Sequence, residues 1–154
     1  MNRSLLLALL VILSLLGLAD SWYLFQSAIT DTALTCNIGS GFDGCNIVAQ
    51  SPYSHLFGIP LGLYGVGFFA LVFVLSAVIS LLPQRLFYRL LHLLTLAGAL
   101  ASIVFVFIQL ALIKAVCIYC LISAGIALFL WIIARALLKR FSPPHLVSVS
   151  PLDA

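Results

Sequence analysis

The sequence predicts an all-α membrane protein, a four-transmembrane-helix bundle with an extracytoplasmic loop between helices 1 and 2. Three observations carry that prediction. The chain is 64% hydrophobic and 7% charged, with a mean hydropathy of +1.28, against about 45–50% and 25% in water-soluble domains. Its nearly charge-free runs divide into four segments of the roughly 20 residues that cross a bilayer. Its cations then fall almost wholly on one side of the four-span drawing. A water-soluble monomer is excluded, and so is nucleic-acid binding by charge, because seven Lys and Arg dispersed along the chain make no basic stripe.

The first helix is expected over about 5–25, with Asp20 near its outer end and Trp22, Tyr23 and Phe25 as an aromatic interface. Arg3 followed by the apolar run from Leu5 to Ala19 also has the form of a cleavable leader. The apolar run continues to Phe25, which favours a retained helix. The stretch from Gln26 to His55 is rich in Gly, Ser, Asn, Asp and Thr and is expected to be an irregular loop. A second helix is expected over about 56–82, ended by Pro83 with Gln84, Arg85 and Arg89 in a tight connection. The apolar run beyond it is too long for one span and divides into helices over about 88–113 and 115–138, with a turn near Lys114. The segment 142–154, with three prolines, is expected to be a flexible cytoplasmic tail.

Lys and Arg in short loops stay on the cytoplasmic side. Arg3, Arg85, Arg89, Arg135, Lys139 and Arg140 share one side, leaving Lys114 opposite. A multi-pass protein of the cell inner membrane or plasma membrane follows, with both termini cytoplasmic. All four cysteines are then extracytoplasmic, although the topology was drawn without them: Cys36 and Cys45 in the long loop, and Cys117 and Cys120 as Cys-Ile-Tyr-Cys after the Lys114 turn. That is the face on which disulfides persist.

Cys-x-x-Cys sets two sulfurs one turn apart, and at a helix start the positive end of the dipole stabilises the first as thiolate. The loop that such a pair closes is too short to constrain the unfolded chain much, so a redox couple fits better than a staple. Lys114 serves either as a snorkelling anchor or as a further stabiliser of a thiolate. Cys36 and Cys45, separated by a Gly-rich loop, suit either a fixed disulfide or an exchanging pair. Two other readings of the four thiols stand beside these. One is a four-cysteine zinc site. The other is a non-enzymatic membrane scaffold or small transporter with two structural disulfides.

The stretch from Cys45 to Pro60, Cys-Asn-Ile-Val-Ala-Gln-Ser-Pro-Tyr-Ser-His-Leu-Phe-Gly-Ile-Pro, closely resembles the segment after the second loop cysteine in prokaryotic vitamin K epoxide reductase homologues. The order of a loop cysteine pair, a serine six residues later and a late Cys-x-x-Cys at a helix start is similar too, over about residues 5–138. In the analogous quinone-linked oxidase DsbB the two pairs come in the reverse order.

The resemblance implies a four-helix membrane redox domain over 1–141 enclosing a quinone, ubiquinone or menaquinone, beneath the loop. It implies that Cys117 and Cys120 are the active-site pair, with Cys120 next to the quinone ring. Cys36 and Cys45 would be the shuttle pair that takes electrons from an extracytoplasmic thioredoxin-like (DsbA-like) protein, in support of disulfide formation. Ser51 corresponds to the family's serine near the active site, and Ser51-Pro52 also reads as a helix cap and first-turn pair. Gly62, Gly65 and Gly67 would permit close helix packing or ligand approach. Animal members carry a tyrosine where this chain has Ala124, which leaves quinone contacts made through that tyrosine without a counterpart. Some bacterial homologues continue into a thioredoxin-like domain, and the partner is expected here to be a separate protein. His55 and His92 are expected to be interface polar groups.

Overall fold

The structure is a computed structural model that describes residues 2–34 and 44–141. In chain order these form α1 (Arg3–Thr30), α2 (Gly44–Ala49), a 3-10 turn (Pro52–Ser54), strands β1 (His55–Leu56) and β2 (Ile59–Pro60), α3 (Leu61–Leu81), α4 (Arg85–Ile108), a π-helical turn (Gln109–Ile113) and α5 (Ile118–Phe141). Among them, α1, α3, α4 with its π-helical turn, and α5 are long and apolar enough to cross a membrane. The expected cytoplasmic tail lies outside the described residues.

Local chemistry sets each boundary. Helix α1 runs past the expected end near 25 because Gln26, Ser27 and Ala28 are all compatible with a helix. It stops where Asp31 turns left-handed at φ 50° and its N–H bonds the Ser27 carbonyl, a common C-terminal cap. Helix α3 starts at Leu61, later than the expected 56, because 55–60 folds back as a two-stranded antiparallel hairpin pairing His55 with Pro60 and Leu56 with Ile59. Its two turn residues, Phe57 and Gly58, both have positive φ, 54° and 79°, as a type I′ turn requires. Pro60 then caps the helix and holds Ile59 extended. Pro83 ends α3 one residue beyond its C-cap, and α4 begins at Arg85, ahead of the expected 88. The stretch expected to be irregular, 26–55, therefore carries the end of α1, α2, the 3-10 turn and the first hairpin strand.

The helices pack α1 against α3, α4 against α5, and α1 against α5. Leu6, Leu10, Ile79, Tyr88, Leu91, Leu130 and Leu137 form the main buried cluster. It lies toward the end where the Arg3 guanidinium donates to the Ile79 carbonyl at 2.7 Å, tying the start of α1 to the last turns of α3. Three buried hydroxyls are satisfied within their own helices: Ser14 donates to the Val11 carbonyl, Ser76 to Val72 and Thr95 to Leu91. This is how lone hydroxyls are accommodated without water. Large apolar side chains such as Leu93, Phe107, Phe129 and Ile132 point outward and more than half exposed, as expected of helices bathed in lipid.

Two of the three glycines expected to permit close approach do so. A Cβ at Gly62 would stand 2.6 Å from the Phe25 backbone nitrogen, and one at Gly65 would stand 2.5 Å from the Ser21 hydroxyl oxygen. At Gly67 the space is open.

Candidate active site

The site is assembled at the end of the bundle opposite Arg3, where the π-helical turn leads into α5. Gln109 organises this corner. Its main-chain carbonyl accepts the N–H groups of Lys114 and of Ala115, the latter at 3.2 Å. Its buried side-chain Oε1 accepts the N–H of Cys117 at 3.0 Å. One amide side chain thus satisfies a main-chain donor that would otherwise be orphaned in apolar surroundings, and it fixes where Cys117 sits. Lys114 supplies the turn itself by adopting a left-handed conformation, φ 57°.

Cys117 immediately precedes the first residue of α5 and serves as its N-cap. Its sulfur accepts the N–H of Cys120 at 3.4 Å, and its carbonyl accepts the N–H of Leu121. Both Cys117 and Cys120 carry free thiols. The hydrogen bond from the Cys120 thiol pulls Cys117 below the ordinary thiol range. Burial opposes this, main-chain N–H groups of Cys120 and Tyr119 add to it, and the Asp20 charge opposes it weakly. Cys117 stands at the start of α5, but its lowering comes first from the neighbouring thiol, with the main-chain N–H groups of the helix start adding less.

Cys45 is disulfide-bonded and lies in the first turn of α2, 2% exposed; Cys117 is 1% exposed, and the two share one buried cluster with Leu34. The approach is very close. A Cβ at Gly44 would stand 2.5 Å from the Val116 carbonyl oxygen, so only glycine lets the start of α2 rest on the backbone that leads into Cys117. Asn46 holds α2 against the chain leaving α1: its Oδ1 accepts the Leu34 N–H at 2.8 Å and its Nδ2 donates to the Leu34 carbonyl at 3.3 Å. Cys36, the other loop cysteine, lies outside the described residues, as do Gly39, Gly41 and Asp43.

Two cavities meet here. One, of about 430 Å³, is lined by Cys45, Cys117 and Cys120 together with Asn46, Asp31 and His55. The other, of about 380 Å³, lies between the helices; Cys120 lines it, and Cys117 does not. Its walls are mostly apolar, among them Leu24, Phe68, Leu94, Phe105 and Val106, with hydroxyls from Ser21, Ser102 and Ser123. Ser51 lines both cavities. It occupies the N-cap position of the 3-10 turn, as its Ser-Pro pairing predicts, but its hydroxyl makes no cap bond and donates instead to the Val48 carbonyl at 2.7 Å. Ala124 is on the wall of the inter-helix cavity, which leaves space where a tyrosine would stand.

The chain matches the family model described as the vitamin K epoxide reductase family over residues 8–135. It belongs to that family. A comparison with individual curated proteins gave no match. Family membership together with the four spans makes the protein a multi-pass membrane oxidoreductase of the thiol–disulfide type.

Sequence reasoning singled out the cysteines and Ser51 but passed over Gln109, Asn46 and the pair formed by Asp20 and Ser123, in which the serine hydroxyl donates to the carboxylate. For Gln109, Asp20 and Ser123 the available signal was a polar side chain within an apolar stretch, which has to find a partner; Asn46 lies in a polar loop and gave no such signal.

Proposed function

We propose that the protein oxidises an extracytoplasmic thioredoxin-like (DsbA-like) protein and passes the electrons through Cys36/Cys45 and then Cys117/Cys120 to a membrane quinone. One observation carries this reading: Cys45 is buried beside Cys117, while Cys120 is the member of its pair that reaches the apolar inter-helix cavity. Cys45, Cys117 and Cys120 are thus ordered from the loop toward the inter-helix cavity.

A thiolate of the partner attacks the disulfide of the loop pair at Cys36, forming a mixed disulfide and releasing Cys45 as thiolate; the partner's second cysteine then completes its own disulfide and frees Cys36. Cys45 attacks Cys117 in an oxidised Cys117/Cys120 bond, and Cys120 leaves with the electron pair. Cys36 attacks Cys45, which restores the loop disulfide and leaves Cys117 and Cys120 reduced. The lowered Cys117 pKa suits this last step, since a more acidic thiol is a better leaving group.

The inter-helix cavity fits a quinone headgroup. Its size falls in the range of small-molecule sites, its walls are mostly apolar, and the hydroxyls of Ser21 and Ser102 are placed to donate to ring carbonyls. A quinone bound there would supply the two-electron, two-proton acceptor that returns Cys117 and Cys120 to a disulfide. Ser51, at the junction of the cavities, orients groups on either side. The topology that goes with this mechanism places all four cysteines on the extracytoplasmic side and both termini in the cytoplasm, by the distribution of Lys and Arg.

The test is quinone-dependent oxidation of a reduced DsbA-like protein by the purified chain in detergent. Wild type is expected to turn over, and Cys120→Ser to lose quinone reduction while still exchanging disulfides at the loop pair. Equal quinone turnover in Cys120→Ser and wild type would remove the mechanism.

A further inference from the structure

Asp20 is the carboxylate within the four candidate spans, and an ionisable group at such a depth is costly unless it has a role. Its partner is Ser123, on α5, whose hydroxyl donates to Asp20 Oδ2 across the α1–α5 interface. Ser123 lies one helical turn after Cys120, on the same face, and both line the inter-helix cavity, as does Ser21 beside Asp20. Cys120, Ser123 and Asp20 therefore stand in sequence from the cavity wall into the helix interface.

We propose that Ser123 and Asp20 form a proton relay for Cys120, with Ser123 as the bridge and Asp20, acting through it, as the positioning residue that holds the proton. The proposal deepens the reading of Cys120 as the electron donor to a quinone and rests on it. Cys120 must lose its thiol proton to become that donor. At rest the Cys120 thiol donates to Cys117; in the relay it turns to Ser123, its S–H bond breaks and its proton passes to Ser123 Oγ as the proton of Ser123 passes to Asp20. The electron pair stays on the Cys120 sulfur, and a carboxyl O–H bond forms on Asp20. Before and after, the group carries a single negative charge. Without the relay, a Cys120 thiolate and an Asp20 carboxylate would repel each other where the dielectric screens poorly. A quinone bound in the cavity would take the electron pair together with two protons, one held on Asp20 and one from the Cys117 thiol.

The groups facing Asp20 are compatible with this. From α5 and its cap these are Cys117, Cys120 and Tyr119. Tyr23, on α1, packs its ring at a tilt against Tyr119, with centroids 5.1 Å apart. Helix α3 contributes Tyr64 to the cavity, its hydroxyl committed to the Leu56 carbonyl, and the α4 segment contributes the neutral Gln109. Among the described residues that line the two cavities there is no Lys or Arg to neutralise Asp20.

The experiment uses the full chain, reduced, in lipid nanodiscs. Reoxidation of Cys117 and Cys120 by a short-chain soluble quinone is followed by stopped flow. Separately, without quinone, the rate of Cys120 alkylation by N-ethylmaleimide is mapped against pH by mass spectrometry. Asp20→Asn and Ser123→Ala are each expected to slow reoxidation about 100-fold, the lower end of what proton transfer contributes, and Asp20→Glu to recover most of the rate. The alkylation profile, taken in a Cys117→Ala background so that the interaction of Cys120 with Cys117 is absent, is expected to show two steps with Asp20 present, because one proton is shared between two sites, and one step with Asp20→Asn. Ser123→Ala leaves the carboxylate in place and keeps the test open if Asp20→Asn fails to fold. An unchanged rate in both variants overturns the relay, and so does a slowed rate with an alkylation profile that Asp20→Asn leaves unchanged. Failure of wild type itself to react with quinone would sink the underlying reading, while the alkylation profile would still report on the shared proton.

Discussion

The chemistry of single residues is concentrated at the turn into α5. Cys117 is acidified chiefly by the Cys120 thiol, so removing that donor has a definite sign. In Cys120→Ala the Cys117 pKa is expected to rise, and the pH of half-maximal Cys117 alkylation to move upward relative to the reduced wild type. A profile that stayed in place would show that the main-chain N–H groups suffice. Gln109 fixes the Cys117 main chain. Gln109→Leu leaves a buried N–H without an acceptor, at a cost of about 1–3 kcal/mol. A lower thermal midpoint in detergent, with Cys117 alkylated faster, is the expected result. The cysteines were legible one by one because their spacing is a chemical statement. Gln109 was not, since nothing in a run of Phe-Ile-Gln-Leu-Ala says that its amide reaches eight residues onward.

At the scale of elements, the spans were legible because hydrocarbon admits only helices with self-satisfied backbones, whereas their ends were not. Pro60 and Pro83 mark boundaries that a proline dictates locally. The shift of the α3 start from 56 to Leu61 depends instead on a hairpin whose turn holds a phenylalanine at positive φ. The glycines of α3 give a prediction at this level. Gly62→Ala drives a Cβ into the backbone of α1, which cannot yield as a side chain does, and is expected to destabilise the bundle by about 1–3 kcal/mol. Gly67→Ala meets open space and is expected to be neutral or to stabilise by up to about 1 kcal/mol through helix propensity. Thermal unfolding of the two variants in one detergent checks both; equal midpoints would contradict the packing.

For the whole molecule, the proposed topology and the proposed chemistry constrain each other. A membrane-impermeant maleimide applied to reduced, sealed inside-out and right-side-out vesicles is expected to label cysteines only from the extracytoplasmic face. Labelling from the cytoplasmic face would overturn the orientation and, with it, the partner's compartment. The two cavities sit at one end of the bundle and share Cys120 and Ser51, while Arg3 and the α3–α4 turn lie at the other. That polarity is a property of the assembly, although every charge behind it is visible in the chain.

By itself the sequence determined the solvent, the number of spans and the identity of the thiols. Each of these follows from local composition: twenty apolar residues cannot stay in water, and Cys-x-x-Cys at a helix start sets its sulfurs one turn apart. Only the tertiary structure decided which thiol meets which neighbour. Cys45 lies beside Cys117 because Gly44 lets α2 settle on the Val116 carbonyl. Cys120 reaches the inter-helix cavity because Gln109 fixes the start of α5. Asp20 finds Ser123 because α1 packs against α5. These are contacts between residues far apart in the chain, and no periodicity or spacing encodes a distance across a helix interface.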